Sequence, residues 1–292
     1  MKKIIPVLLL ICALFSLALP ALADDADSAR AVIGADLTDE QIESVYDIFG
    51  ISRGSIDELT VTNAEERQAL TDFVDADIIG SNSISCVYIE LLPAGEGLQI
   101  ETENLTWCTE DMFVNALVTA GVDDARIIVT APFAVSGTAA LTGIYKAYED
   151  ITGREIDDLA KLVSTQELVV TGELADFVGS YDAVSIVNEL KLILSETENM
   201  SDDELSAAIR EIADEYGVKL RDSQIGQLIT LCCSLEKMDG DALRGKVEQV
   251  QQTVRRMAEA KEKVSGISRA VKNVVEAVKE FVGKILSFFG ID

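Results

Sequence analysis

Residues 83–91 have the sequence SISCVYIEL, which is rich in residues that favour β-strands. The turn-forming residues PAGEG follow at 93–97, and residues 98–106 (LQIETENLT) alternate apolar and polar side chains. This pattern predicts a β-hairpin with a long loop. Residues 125–130 (ARIIVT) are a short apolar run and predict a buried strand.

Helical patterns follow the predicted strands. Thr109 precedes a helical apolar pattern that Gly121 ends, and Ser136 begins another one that continues to Tyr148. The order β-β-α-β-α predicts a small mixed sheet covered by helices. The fold class is therefore α+β (mixed α/β).

Capping boxes predict further helix starts. The S/T-x-x-E/Q pattern occupies residues 38–41, 62–65, 164–167 and 201–204. A short strand is predicted at 59–61. After Gly153 no further strand is predicted, and the apolar periodicity indicates a helical array with short connections.

The last segment is predicted to be a long, basic, amphipathic helix. Its apolar residues recur at spacings of three and four, a heptad pattern. Residues 243–292 contain ten basic and six acidic residues, whereas the whole chain contains 24 basic and 51 acidic ones. Three roles are open to this helix: packing on its own body, pairing with another chain, or lying on an anionic membrane surface. The residues predicted to dock are Lys272, Lys279, Phe281, Lys284, Phe288 and Phe289.

The chain begins with the pattern of a secretory signal peptide. Lys2 and Lys3 precede an apolar run that ends in Ala21-Leu22-Ala23. We therefore expect a protein that is secreted or extracytoplasmic and associated with the cell envelope. The predicted regions are a signal peptide (1–23), a mixed α/β domain (24–153), a helical domain (154–241) and the C-terminal helix (242–292).

The composition excludes several kinds of active site. The chain has no histidine, so a Ser-His-Asp triad and an H-E-x-x-H zinc site are impossible. A formal net charge of −27 opposes binding to nucleic acid. We predict no catalytic residue, no metal site and no cofactor. Calcium binding by surface carboxylates is kept as an alternative.

Two candidate features lie in the predicted α/β domain. A disulfide between Cys86 and Cys108 is one prediction, and two separate buried thiols are the other. Ser136, Gly137 and Thr138 follow a predicted strand at a predicted helix start, where backbone N–H groups can approach an anion. An N-cap that packs closely on the sheet is the structural alternative.

Three stretches of the chain resemble a known family. They are GADLT at 34–38, VTAPF at 129–133 and VSGTAALTG at 135–143. These stretches are similar to the DUF1002 proteins, exported proteins of Gram-positive bacteria without a known function. The resemblance implies an extracytoplasmic location. It implies no activity, and no catalytic residue is carried over from it.

These observations favour one functional hypothesis over two alternatives. We expect an exported, non-enzymatic envelope protein that binds an unknown envelope protein or an anionic envelope surface, with the basic C-terminal helix for docking. The first alternative is an extracellular hydrolase that works through carboxylates or a Ser/Lys pair. The second is an extracellular cation-binding module.

Overall fold

The computed structural model describes residues 28–70, 80–240 and 243–248. The predicted signal peptide lies outside these residues. So do the predicted docking residues of the C-terminal helix, which are Lys272, Lys279, Phe281, Lys284, Phe288 and Phe289.

A five-stranded sheet forms the centre of the first half of the chain. Its strands are β1 (Ala29–Gly34), β2 (Asp57–Val61), β3 (Cys86–Leu91), β4 (Leu98–Thr102) and β5 (Ala125–Thr130), in the spatial order β2-β1-β3-β5-β4. β1 and β2 are parallel, and β4 and β5 are parallel, whereas β3 runs antiparallel to both neighbours. Four strands therefore point the same way and end at one edge, called here the carboxyl edge.

Helices cover the sheet and make up the second half. They are α1 (Asp39–Phe49), α2 (Asn63–Leu70), α3 (Glu110–Ala120), α4 (Ala140–Thr152), α5 (Asp158–Val178), α6 (Ser180–Leu192), α7 (Leu194–Thr197), α8 (Asp202–Glu215) and α9 (Asp222–Leu235). Residues 243–248 are also helical. The predicted α+β (mixed α/β) class is confirmed.

The two faces of the sheet bury different helices. Ala31 and Ile33 of β1 pack with Phe49 of α1 on one face. Val32 lies on the other face, in a core shared with α3 and α4. Leu168 of α5 belongs to this second core as well. The helical array is therefore packed directly on the helix layer of the sheet.

The predicted β-hairpin is wrong, because β5 lies between β3 and β4. Ile127 of β5 is the register partner of Ile89 on one side and of Ile100 on the other. The continuous apolar run of β5 suits a central strand that is buried on both faces. The turn after β3 is held to the start of β5, since Asp124 Oδ1 accepts the N–H groups of Gly95 and Gly97 at 2.9 and 2.7 Å.

The sequence patterns do not predict β1, although it is paired on both sides. Gly34 ends this strand at a point where two segments come very close together. A Cβ at Gly34 would lie 2.3 Å from the backbone oxygen of Ser83. Only a residue without a side chain fits there.

The capping boxes at Thr38 and Ser201 are confirmed. The box predicted at 164–167 is wrong, because α5 begins earlier with Asp157 as its N-cap. Ser164 and Glu167 therefore lie inside a helix, where both are buried. The Ser164 hydroxyl bonds to the Ala160 carbonyl of α5 and to Tyr145 of α4, and Glu167 bonds to Thr119 of α3 and Lys191 of α6.

Candidate functional site

The carboxyl edge of the sheet is where loops and helix starts converge. In open α/β sheets, ligands bind outside the carboxyl ends of the strands. Here α2 begins two residues after β2 ends, and the loop 131–139 connects β5 to α4. The segment that precedes β3 reaches the same edge, because β3 runs in the opposite direction.

A pocket of about 230 Å³ lies at this edge and is called here the edge pocket. Its polar lining comes from α2, from the segment before β3 and from the loop before α4. The side chains are those of Glu66, Ser81, Asn82, Ser85, Ser136 and Thr138. Hydroxyl, amide and carboxyl groups thus line the pocket, and no lysine or arginine of the described chain does.

Glu66 is the only carboxylic acid among these described lining residues, and its side chain is fully buried. The hydroxyl of Ser83 donates to its Oε1, and Asn63 Nδ2 donates to its Oε2 at 3.3 Å. Burial raises the pKa of Glu66, and these two hydrogen bonds oppose the rise. The carboxyl group is therefore held in a fixed position, and its protonated form is favoured by its surroundings.

The segment before β3 is fixed to the end of β1. The N–H group of Ser83 donates to Asp36 Oδ2 at 2.7 Å, and the N–H group of Asp36 donates to the Ser83 carbonyl at 3.2 Å. The close approach at Gly34 lies beside these bonds. One wall of the edge pocket is therefore built before any ligand arrives.

The predicted residues Ser136 and Thr138 both line this pocket. They precede α4 rather than begin it, since the helix starts at Ala140. The predicted helix start at Ser136 is therefore wrong by four residues. Gly137 has a φ of 92°, and a Cβ there would lie 3.0 Å from a methyl group of Leu105.

No lysine of the described residues lines the edge pocket with Ser136. Its hydroxyl lies 3.4 Å from that of Thr138. Lys146 bonds to Glu65 at 2.7 Å, and Lys161 bonds to Glu149 at 2.6 Å. In the described part of the chain, the residues of a Ser/Lys nucleophile pair do not come together.

Cys86 and Cys108 are separate free thiols in the structure. Cys86 lies in the core under α1, whereas Cys108 lies in the core on the opposite face of the sheet. Burial raises the pKa of Cys86 to about 12 and also raises the pKa of Cys108. Both thiols therefore stay protonated and unreactive at neutral pH.

Sequence reasoning missed Glu66, Asn82 and Ser85 as pocket residues. Glu66 follows directly on the capping box at 62–65, where acidic residues usually face water. The available signal was its spacing of four from Leu70, which places both side chains on one face of α2. Both are buried in the structure.

A second buried polar group lies where α3, α5 and α6 pack together. Glu167 and Lys191 form an ion pair whose side chains are fully buried. Thr119 Oγ1 donates to Glu167 Oε2 at 2.6 Å, and Lys191 Nζ donates to the Asn115 carbonyl at 3.3 Å. Burial raises the pKa of Glu167 and lowers that of Lys191, while the attraction between the two opposes both shifts.

Neither a metal centre nor a membrane span is found in the part of the chain that the structure describes. No three acidic or cysteine side chains there converge as a metal ligand set would. No helix there combines the length and the apolar character that a bilayer crossing requires. Calcium binding remains an untested prediction.

Comparison with known proteins gives one family and one curated relative. A family model described as a protein of unknown function (DUF1002) matches residues 33–256. The uncharacterized protein YpuA of Bacillus subtilis (strain 168) is 35% identical over 286 residues, which cover 97% of this chain and 92% of that protein. No solved structure matches the chain.

Proposed function

We propose that this chain, which belongs to the DUF1002 family of proteins of unknown function, is an exported, non-enzymatic binding protein of the cell envelope. The edge pocket receives a neutral, hydrogen-bonding group of an envelope partner. The basic C-terminal segment, for which the sequence predicts an amphipathic helix, docks the protein on an anionic envelope surface or on a partner chain. The edge pocket and the C-terminal segment therefore have different tasks in this proposal.

The lining of the edge pocket is the observation that carries the proposal. Hydroxyl and amide groups donate and accept hydrogen bonds without charge, which suits a neutral polar ligand. An anion would meet no lysine or arginine among the described lining residues and would lie near Glu66. A cation would need an ionised carboxylate, but burial raises the pKa of Glu66.

The charge distribution supports docking through the C-terminal segment. The chain as a whole has a net charge of −27, whereas residues 243–292 carry ten basic and six acidic residues. An anionic surface attracts the segment and repels the body. The protein therefore approaches such a surface with one end.

Site-specific photo-crosslinking on intact cells tests the pocket. A photo-reactive residue at Asn82, which is exposed at the pocket mouth, should capture a defined envelope component. The isosteric change Thr138→Val should remove that product, because it deletes a buried hydroxyl of the lining. A photo-reactive residue at the exposed Lys219 is the matched control. Equal products from positions 82 and 219, or products that survive Thr138→Val, would overturn the pocket assignment.

Deletion of residues 270–292 tests the docking role. The truncated protein should move from the cell-surface fraction to the medium. Its secretion level, measured in both fractions together, should stay constant. Unchanged fractionation of the truncated protein contradicts docking through this segment.

A further inference from the structure

A second cleft, separate from the edge pocket, lies between α2, α4 and α5 and has a volume of about 440 Å³. We call it the charged cleft. Its apolar lining includes Ala69 and Leu162, and the Leu162 side chain is 46% exposed. A large aliphatic side chain left open to solvent inside a concave site is available for a ligand's apolar group.

Two ion pairs face this cleft. Lys146 Nζ lies 2.7 Å from Glu65 Oε1 and donates to the Thr60 carbonyl at 2.7 Å. Lys161 Nζ lies 2.6 Å from Glu149 Oε1. The cleft therefore presents two cations and two anions, with the exposed carboxylate of Asp158 at its rim.

Both carboxylates are held in place by the backbone as well. The N–H group of Thr62 donates to Glu65 Oε2 at 2.8 Å, and that of Ile156 donates to Glu149 Oε1 at 2.8 Å. The hydrogen bonds from Lys146 and Thr62 lower the pKa of Glu65, so this group is ionised at neutral pH. A ligand would find charges that are already oriented.

The exposure of the ion pairs makes their partners exchangeable. Their four side chains are between 24% and 40% exposed. Ion pairs this open to solvent contribute little to stability, so a ligand that replaces one partner costs the protein little. A ligand with a single charge satisfies only one half of each pair, whereas a zwitterion can satisfy both.

We propose that the charged cleft binds a small zwitterion with an aliphatic side chain, such as a dipeptide with free termini. Lys146 and Glu149 are three residues apart on α4, so their Cβ atoms are about 5–6 Å apart. An extended peptide spans about 3.5 Å per residue, so the two termini of a dipeptide match this spacing. The aliphatic side chain contacts Leu162.

The geometry also assigns an orientation to the peptide. Lys146 already holds two close acceptors, Glu65 and the Thr60 carbonyl, whereas Lys161 holds one close acceptor and a second at 4.0 Å. Lys161 is therefore the better partner for the ligand's carboxylate. The ammonium group then lies beside Glu65 at the Lys146 ion pair, which the three-residue spacing on α4 separates from the Lys161–Glu149 pair.

Calorimetric titration of the mature protein with leucyl-leucine tests this proposal. Free leucyl-leucine should bind saturably, and its N-acetyl and C-amide derivatives should bind at least tenfold more weakly. Lys161→Gln should weaken binding of the free dipeptide tenfold but leave binding of the C-amide unchanged, because the amide has no carboxylate to lose. Lys219→Gln, at an exposed site outside the cleft, should change neither affinity.

Three outcomes would overturn the proposal. They are no heat of binding with free leucyl-leucine at 10 mM, equal affinity for the three peptides, or an equal loss of affinity for the free dipeptide and the amide in Lys161→Gln. A melting temperature of Lys161→Gln close to that of the parent shows that the variant is folded. If it is lower, Lys161→Arg should restore binding of the free dipeptide.

Discussion

At the residue scale, two buried carboxyl groups show how strongly surroundings change a side chain. Glu66 and Glu167 are both completely buried, and burial raises the pKa of each. Neutral groups donate hydrogen bonds to Glu66, whereas Glu167 forms an ion pair with the ammonium group of Lys191. The two sites therefore respond differently to substitution and to pH.

Lys191→Met should destabilise the protein by about 3–5 kcal/mol, because it leaves Glu167 buried without its charged partner. Urea unfolding of the purified protein measures this loss. The double change Glu167→Gln with Lys191→Met should recover most of it, since no buried charge remains. Lys219→Met, at an exposed position, should change stability by less than about 0.5 kcal/mol. A single Lys191→Met variant as stable as the parent would contradict the importance of this pair.

Glu66→Gln should change how stability depends on pH. Burial raises the pKa of Glu66 in the folded state above the ordinary value of a glutamate. The folded protein therefore binds the proton of Glu66 more tightly than the unfolded chain does. The stability that this proton binding adds is lost as pH rises above about 4.5. The parent should lose stability relative to Glu66→Gln as pH rises from the ordinary pKa of a glutamate through the raised pKa of Glu66.

Urea unfolding at a series of pH values measures this difference. Glu40→Gln, at an exposed site, is the control for the loss of one carboxyl group. If the curves of the parent and Glu66→Gln stay parallel, the raised pKa of Glu66 is refuted.

Sequence reasoning placed Ser136 and Thr138 at the site but could not place Glu66 there. The first two follow a strand that the sequence predicts. A predicted strand followed by a predicted helix places the loop between them at the carboxyl edge. The surroundings of Glu66 depend on Ser83, whose position before β3 is set by the pairing of β1 with β3. That pairing brings together residues far apart in the chain, and no local pattern encodes it.

At the element scale, helices were predicted better than strand pairing. The starts of α1 and α8 depend on cap residues three positions apart, so local sequence contains the signal. The position of β5 between β3 and β4 depends instead on which strand best tolerates burial on both faces. The capping box at Ser164 is false because the helix already begins at Asp158, and the buried Ser164 hydroxyl contacts Tyr145 of α4 at 2.6 Å.

Gly34→Ala should destabilise the sheet by about 1–3 kcal/mol, the usual cost of forcing an extra group into a packed site. The added Cβ meets the backbone of Ser83, which cannot rotate away as a side chain can. Thermal unfolding measures the effect. Gly226→Ala in α9 is the control, since its Cβ meets no atom within 4 Å. It should be neutral or stabilising by up to about 1 kcal/mol. Equal effects of the two changes would refute the close approach.

At the scale of the whole molecule, the sheet and the helical array share packing. Leu168 and Val184 of the array lie in the core that contains Ile89 and Ile127 of the sheet. Trp107 Nε1 donates to Asp176 Oδ2 of α5 at 3.0 Å. The two halves are therefore expected to unfold together.

Trp107 is the only tryptophan of the chain and lies at this junction. Its fluorescence and the far-ultraviolet circular dichroism should give the same urea midpoint. Gly172→Ala should shift the Trp107 emission to longer wavelength, because the new Cβ would lie 2.5 Å from Cη2 of the indole ring and displace it. Two separate midpoints in the parent protein would contradict shared packing.

The late position of β5 in the chain affects how the molecule can form. Among the described strands, β4 pairs only with β5, and β5 is the second neighbour of β3. A growing chain that ends before Ala125 lacks β5 and therefore cannot join β4 to the rest of the sheet. Such a precursor stays open while its first hundred or so residues emerge from the ribosome. A polypeptide that has not yet closed is the form that can be threaded through a narrow pore, which suits the export proposed for this protein.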